Sequence, residues 1–182
     1  MPNRPCHAGW RAAIHVAAGG FTLVELVAVM AIVGILAAVA IPTLQGLTAR
    51  RGAIAAARLV RDLDYARGVA VHDGATTWVV FSPAGASYQI SAEPVGTTGR
   101  VDRVPVRDPA SNGSLTRMLN TADVAGVLVT AADFDGSWEV GFNWMGVPLN
   151  QLELDLTVAG VVTLTGGSRV TVEPETGFVT AN

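Results

Sequence analysis

Residues 19–44 read GGFTLVELVAVMAIVGILAAVAIPTL. Between 21 and 41 only Thr22 and Glu25 are clearly polar. As an α-helix that run is about 31 Å long at roughly 1.5 Å per residue, against a bilayer hydrocarbon core of about 30 Å. Leu, Val, Ile and Ala dominate it, and no Arg interrupts it. The pattern predicts a transmembrane helix over 21–41. A helix apolar on every face has no polar side to turn toward water, so it needs lipid or other helices around it.

Glu25 lies about one turn into that run. A charge at the centre of a membrane helix costs roughly 2.5–3.5 kcal/mol on insertion scales. Two readings stay open: the carboxylate reaches up to the headgroups, or it waits for a positive partner supplied by another molecule. A secretory signal peptide is the obvious competitor for the whole segment. It has an apolar core of about 7–15 residues, followed by a small-residue cleavage site. Here the apolar run is longer, and Gly19 and Gly20 come before it. Cutting after Gly20 would remove a leader and leave the helix, with the new amine of Phe21 as a positive charge on its end.

Gly20, Phe21, Glu25 and Pro42 fall on one pattern: Gly, then Phe, then Thr-Leu-Xaa-Glu, an apolar helix and a Pro. That pattern resembles the N-terminal signature of type IV pilins and type II secretion pseudopilins. The resemblance implies that a prepilin peptidase cuts between Gly20 and Phe21 and methylates the new amine. It implies that Glu25 places each subunit in a helical filament through the amine of a neighbour. The leader departs from the family habit, being 20 residues long with Ala17 and Ala18 before the glycines. Its Arg4 and Arg11 favour a cytoplasmic N-terminus, while Arg50, Arg51, Arg58 and Arg61 follow the helix on the other side. The orientation therefore rests partly on the resemblance.

Downstream, Pro42 lacks an amide donor and crowds the preceding turn, which predicts a kink there. Gly46 and Gly52 weaken a helix by roughly 1 kcal/mol each, so the helix is expected to loosen between Pro42 and Gly52 and then resume. From 53 to 71, Ile54, Leu59, Leu63, Ala66 and Ala70 recur at helical spacing and predict an amphipathic continuation packed on the C-terminal domain. His72 and Gly74 supply a C-terminal stop. β-rich runs then predict strands at 76–81, 87–91, 101–106, 127–130, 137–142, 152–158, 161–164, 169–172 and 178–180, separated by Gly-containing turns. The polar stretch 108–123 reads as a mobile loop with a short helical turn at 115–119. The domain plan is a leader (1–20), a transmembrane helix (21–41), an amphipathic continuation (42–74) and a β-rich periplasmic head (75–182). The fold class is α+β: a long, Pro-kinked N-terminal helix packed on a C-terminal antiparallel sheet or sandwich, as in pilins.

Three segments narrow the resemblance. RLVRDLDYARGVAVHDGATTWVVF (58–81), FNWMGVP (142–148) and SRVTVEPETGFV (168–179) are similar to the H-type minor pseudopilins and FimT-like minor pilins. Gly68 and Val69 depart from that family's usual Ser-Glu.

The head offers no catalytic constellation, so no enzyme is expected. His72 is the one His after residue 20, and dipole capping accounts for it. Cys6, the only cysteine, lies in the leader, so the processed chain has no disulfide. GTTGR (96–100) lacks the ending of a phosphate loop. Asp133 and Asp135 read as a turn in preference to a Ca²⁺ site, because no twelve-residue ligand loop follows. No metal or cofactor is expected. All 12 basic residues are Arg, and beyond residue 75 five of them face eleven carboxylates. That balance disfavours nucleic acid. Arg100, Arg103 and Arg107 form the one basic cluster, interleaved by Asp102 and Asp108, and read as a solvated charged strand. Trp78, Trp138 and Trp144 read as core.

What the resemblance implies is a minor pseudopilin, a structural subunit of the type II secretion pseudopilus that serves protein export across the outer membrane. Its partners would be other pseudopilins or pilins, the prepilin peptidase and the inner membrane. It would cross that membrane once, N-terminus cytoplasmic and head periplasmic. Two alternatives stay open: a FimT-like minor type IV pilin for pilus assembly or DNA uptake, and a membrane-anchored binding domain outside any filament.

Overall fold

The computed structural model describes Gly20, residues 22–94, Gly96 and residues 102–182, apart from the side chains of 39–45. Residues 1–19 and Phe21 lie outside the described residues. The chain divides into two compact units, Met1–Ala40 and Ile41–Asn182. One helix, α1 (Leu23–Asp73), runs through the boundary without interruption. The loosening expected between Pro42 and Gly52 does not interrupt it. A proline deletes one bond from the ladder, and the turns on either side keep theirs. The helix stops where expected: His72 is in the last turn, and Gly74 follows at φ 65°, a left-handed position that favours glycine.

In the first unit every described large apolar side chain is exposed, from Leu23 (78%) to Leu36 (64%). Among the described residues no helix is long and apolar enough to cross a membrane. The fully described part of the run, residues 23–38, would span about 24 Å at roughly 1.5 Å per residue. The expected span, 21–41, reaches past it at both ends, to residues whose side chains lie outside the description.

In the second unit the helix becomes one-sided. Ala55, Ala56, Leu59, Leu63, Ala66 and Ala70 are buried, whereas Ile54, expected on that stripe, is half exposed. Alanines take its place because the chain approaches closely here. A Cβ on Gly52 would sit 2.7 Å from the Thr165 carbonyl oxygen, and one on Gly166 would sit 2.8 Å from the Thr48 carbonyl oxygen. Gly52 is therefore a packing contact rather than a weak point: the turn at 165–168 is laid directly on the helix backbone.

Among the described residues, ten strands build two antiparallel sheets. The first sheet contains β1 (Thr77–Phe81), β2 (Ser87–Ala92), β3 (Val104–Pro105), β4 (Thr116–Met118), β6 (Glu139–Phe142) and β7 (Pro148–Leu149). Its order is β3-β2-β1-β6-β7, and β4 pairs with the other end of β2. The second contains β5 (Val129–Asp133), β8 (Gly160–Leu164), β9 (Arg169–Val172) and β10 (Val179–Ala181), in the order β10-β9-β8-β5. Val79 stands opposite Ile90 and Val140, and Phe81 opposite Tyr88. In the second sheet Val162 faces Val170. These side chains join the buried helix face in a single core. Each fully buried Val, Leu or Phe there contributes roughly 1.5–3 kcal/mol of apolar transfer.

Three strand expectations change. Residues 152–158 form no strand; they touch β7 only through a bridge between Leu149 and Asp155. Of 101–106, only Val104–Pro105 forms a strand among the described residues, and Val106 continues its bonding to Ile90. The helical turn expected at 115–119 is instead β4, with Leu115 and Leu119 buried on either side of it. A fold that pairs β4 with β2 satisfies backbone groups that an isolated helical turn would leave to solvent.

Candidate processing and assembly site

The start of α1 is capped by its own sequence. Gly20 is exposed and lies outside the helix, and Thr22 is the residue before its first turn. The Glu25 amide donates to Thr22 Oγ1 at 3.2 Å, and the Leu26 amide donates to the Thr22 carbonyl at 3.1 Å. Thr22 with Glu25 thus has the spacing of a capping box, and a carboxylate in the first turn is favoured by the helix dipole. Glu25 is exposed in the single chain. The arrangement gives a soluble-looking helix start, followed at once by a rod that is apolar on every side. Phe21, whose amine cleavage would free, lies outside the described residues. Pro42 lies within the helix, its side chain outside the description.

Elsewhere the polar residues hold the fold together. Asp62 on α1 accepts the Tyr88 hydroxyl (2.7 Å) and Arg117 Nε (3.2 Å). Arg117 also reaches Asp108 (3.0 Å). Burial, and then the Asp62 charge, push the Tyr88 hydroxyl well above its ordinary range, so it remains a donor to Asp62. The amide of Ala110 holds the Asp108 carboxyl below its ordinary value, helped by Arg117 and Ser111. This network ties β4 and the 108–114 loop to the helix. The stretch expected as a mobile loop is thereby fastened to the helix through Arg117 and Asp62, with Asp108 holding the same Arg117. A cleft of about 290 Å³ beside it is lined by Arg58, Arg61 and Arg117. Arg58 meets Asp123 at 3.2 Å, and Arg117 is held by Asp62 and Asp108.

Within the basic cluster, Arg103 is drawn off the surface and Arg107 is exposed. Arg103 pairs with Glu139 at 3.0 Å and lies 4.1 Å above the Trp78 ring, with its side chain only 13% exposed. Trp78 is fully buried and donates to Glu93 at 2.7 Å. Arg103 therefore departs from the solvated strand expected of it. Arg107 reaches Asn112 at 3.5 Å, and Arg100 lies outside the described residues. Trp138 packs on the core as expected, but Trp144 is 61% exposed. Asp133 caps Gly136 (2.8 Å), and Asp135 holds Thr157 (3.1 Å), so the acidic pair serves turns. Among the described residues no group of three or more His, Cys, Asp or Glu could hold a metal.

Sequence reasoning missed two turns of one design. Asn143 Oδ1 accepts the amides of Met145 and Val147, and Asn150 Oδ1 accepts those of Leu152 and Leu154. In each turn the Asn carbonyl takes the amide three residues on, and the Asn amide bonds the carbonyl four residues on. The third residue after each Asn has positive φ: Gly146 at 82° and Glu153 at 62°. Asn side chains that mimic a backbone turn explain why 152–158 does not extend as a strand. The only shared sequence signal is the leading Asn.

Residues 17–41 match the family model described as the prokaryotic N-terminal methylation motif. The chain carries that motif. Its span covers Gly20, Phe21, Glu25 and all but the Pro of the expected signature. No curated protein matches the chain. Two crystal structures of the type IV minor pilin FimU from Pseudomonas aeruginosa (strain PAO1) are similar at 14% identity. One covers 70% of this chain and 90% of its own with a TM-score of 0.46. The other covers 73% and 89% with a TM-score of 0.45.

Proposed function

We propose that this chain is made as a membrane-anchored precursor and matures into a minor subunit of a pilin-like filament. Prepilin peptidase cuts between Gly20 and Phe21 and methylates the Phe21 amine. Residues 21–41 hold the chain in the inner membrane, with the leader in the cytoplasm and the head in the periplasm. Assembly moves the rod from lipid into a bundle of like rods, so its apolar surface never meets water. In that bundle Glu25 pairs with the Phe21 amine of a neighbouring subunit, because an unpaired charge there is costly. Pro42 is the place of a helix kink in this reading, because its ring removes one backbone hydrogen bond.

The observation that carries this reading is the methylation motif at 17–41, set on a helix segment whose described large apolar side chains, from Leu23 to Leu36, are all exposed. Its machinery is a type II secretion pseudopilus. The acidic head, and the burial of Arg103 against Glu139, support that assignment over a DNA-uptake pilin, which needs exposed basic residues.

Mass spectrometry of the protein recovered from its host tests the processing step: the mature chain begins at methylated Phe21. Recovery of intact chain beginning at Met1 would falsify it. Glu25→Ala is expected to reach the membrane and be processed, yet enter filaments at a tenth of the normal level or less. Deleting the gene should stop export of secreted proteins and spare pilus functions; the reverse outcome assigns the chain to a pilus.

A further inference from the structure

Two surfaces of the second unit are chemically complementary. The first is a rigid apolar patch with an acidic rim. Trp144 (61% exposed) and Met145 (57%) sit in the Asn143 turn, whose amides are fixed by the Asn side chain. That turn abuts the turn before β10. A Cβ on Gly177 would run into the Gly146 carbonyl, and one on Gly146 would sit 2.9 Å from Arg67 Nε and 3.4 Å from Val71 Cγ2. The partly buried Arg67 thus stands beside both turns, outnumbered by two exposed carboxylates. Phe178 (58% exposed) follows Gly177, and the exposed carboxylates of Glu173 and Glu175 stand in the same turn. Large side chains held rigid and exposed are the usual anchors of protein contacts, and a cluster of them is rarely left open.

The second surface lies on α1. Leu47, Arg50, Ile54, Arg61 and Tyr65 are exposed at spacings of three, four, seven and four, which puts them on one face of the helix. This stripe is apolar and basic where the first patch is apolar and acidic.

We propose that the Trp144 patch of one copy docks on the Leu47–Tyr65 stripe of a second copy. Charge complementarity selects this occupant: Glu173 and Glu175 meet Arg50 and Arg61, while Trp144 and Phe178 cover Ile54. A contact between two different patches is heterologous, so it can repeat from copy to copy. It uses no residue of the first unit and does not rest on the processing reading.

Cross-linking of the full chain in native membranes tests it. Two differently tagged copies are co-expressed in a Cys6→Ser background, one with Trp144→Cys and the other with Ile54→Cys, and oxidised with copper phenanthroline. Mixed-tag dimer is expected at ten times or more the yield given by Trp144→Cys with Ala110→Cys, an exposed control. Glu173→Arg with Glu175→Arg should cut that yield at least tenfold. Arg50→Glu with Arg61→Glu on the opposing copy should restore it, which misfolded heads could not do. Equal yields from the two cysteine pairs, indifference to charge reversal, or capture of a different polypeptide alone would each overturn the proposal.

Discussion

Thr22 shows how much a single hydroxyl can decide. It accepts the Glu25 amide and so sets where the helix begins, next to the bond proposed for cleavage. Thr22→Ala should cost the helix start about 1 kcal/mol. The expected result is faster amide exchange at residues 23–26 in detergent micelles, with the head unchanged. Gly52 and Gly46 make a second comparison. Both are helical glycines, and on propensity alone alanine would stabilise either by about 1 kcal/mol. Gly46 has open space around it, whereas Gly52 faces the Thr165 carbonyl. Gly46→Ala should raise the melting temperature, and Gly52→Ala should lower it, with an overpacking cost of about 1–3 kcal/mol. If Gly52→Ala also stabilises, the close approach of the turn to the helix is wrong.

Among the elements, β4 depends most on polar contacts. It is three residues long, pairs with one end of β2 and is fastened to α1 through Arg117, Asp62 and Tyr88. Asp108 secures the loop before it, and its carboxyl is held below the ordinary value of about 3.9, first by the Ala110 amide. A carboxyl depressed in the folded state stabilises fully above its unfolded value, and that contribution is lost as pH falls through the folded value. Asp108→Asn should therefore lower the urea midpoint at pH 7, and the gap from the wild type should close as the pH drops below about 4. A gap independent of pH would count against the Asp108 contacts. β7 and the 150–154 turn behave differently. Their shape comes from Asn150, which bonds the amides of Leu152 and Leu154 and leaves no pairing for a longer strand.

At the scale of the whole molecule, the buried core found among the described residues belongs to one unit. The core residues run from Ala55 to Val179 and lie wholly in the second unit. Leu63 is fully buried between helix and strands, and Leu63→Ala should cost about 2–5 kcal/mol, read from urea unfolding in micelles. The described large apolar side chains of the first unit, from Leu23 to Leu36, are exposed, so no such burial stabilises them. Under the function proposed above, lipid and then other subunits would cover that surface.

Periodicity and composition carried the apolar run, the amphipathic continuation and most of the strands, and a family resemblance carried the motif at the start of the run. Those features are local: a helix face or a strand face repeats along the chain, and Gly74 marks its own turn. What only the tertiary structure decided depends on partners far apart in sequence. Arg103 looked solvated until Trp78 and Glu139 closed over it, and Trp144 looked like core until the Asn143 turn held it outward. Gly52 looked like a flaw until Thr165 was found against it. Burial is a property of the pair that meets, and one-dimensional spacing does not say which residues will meet.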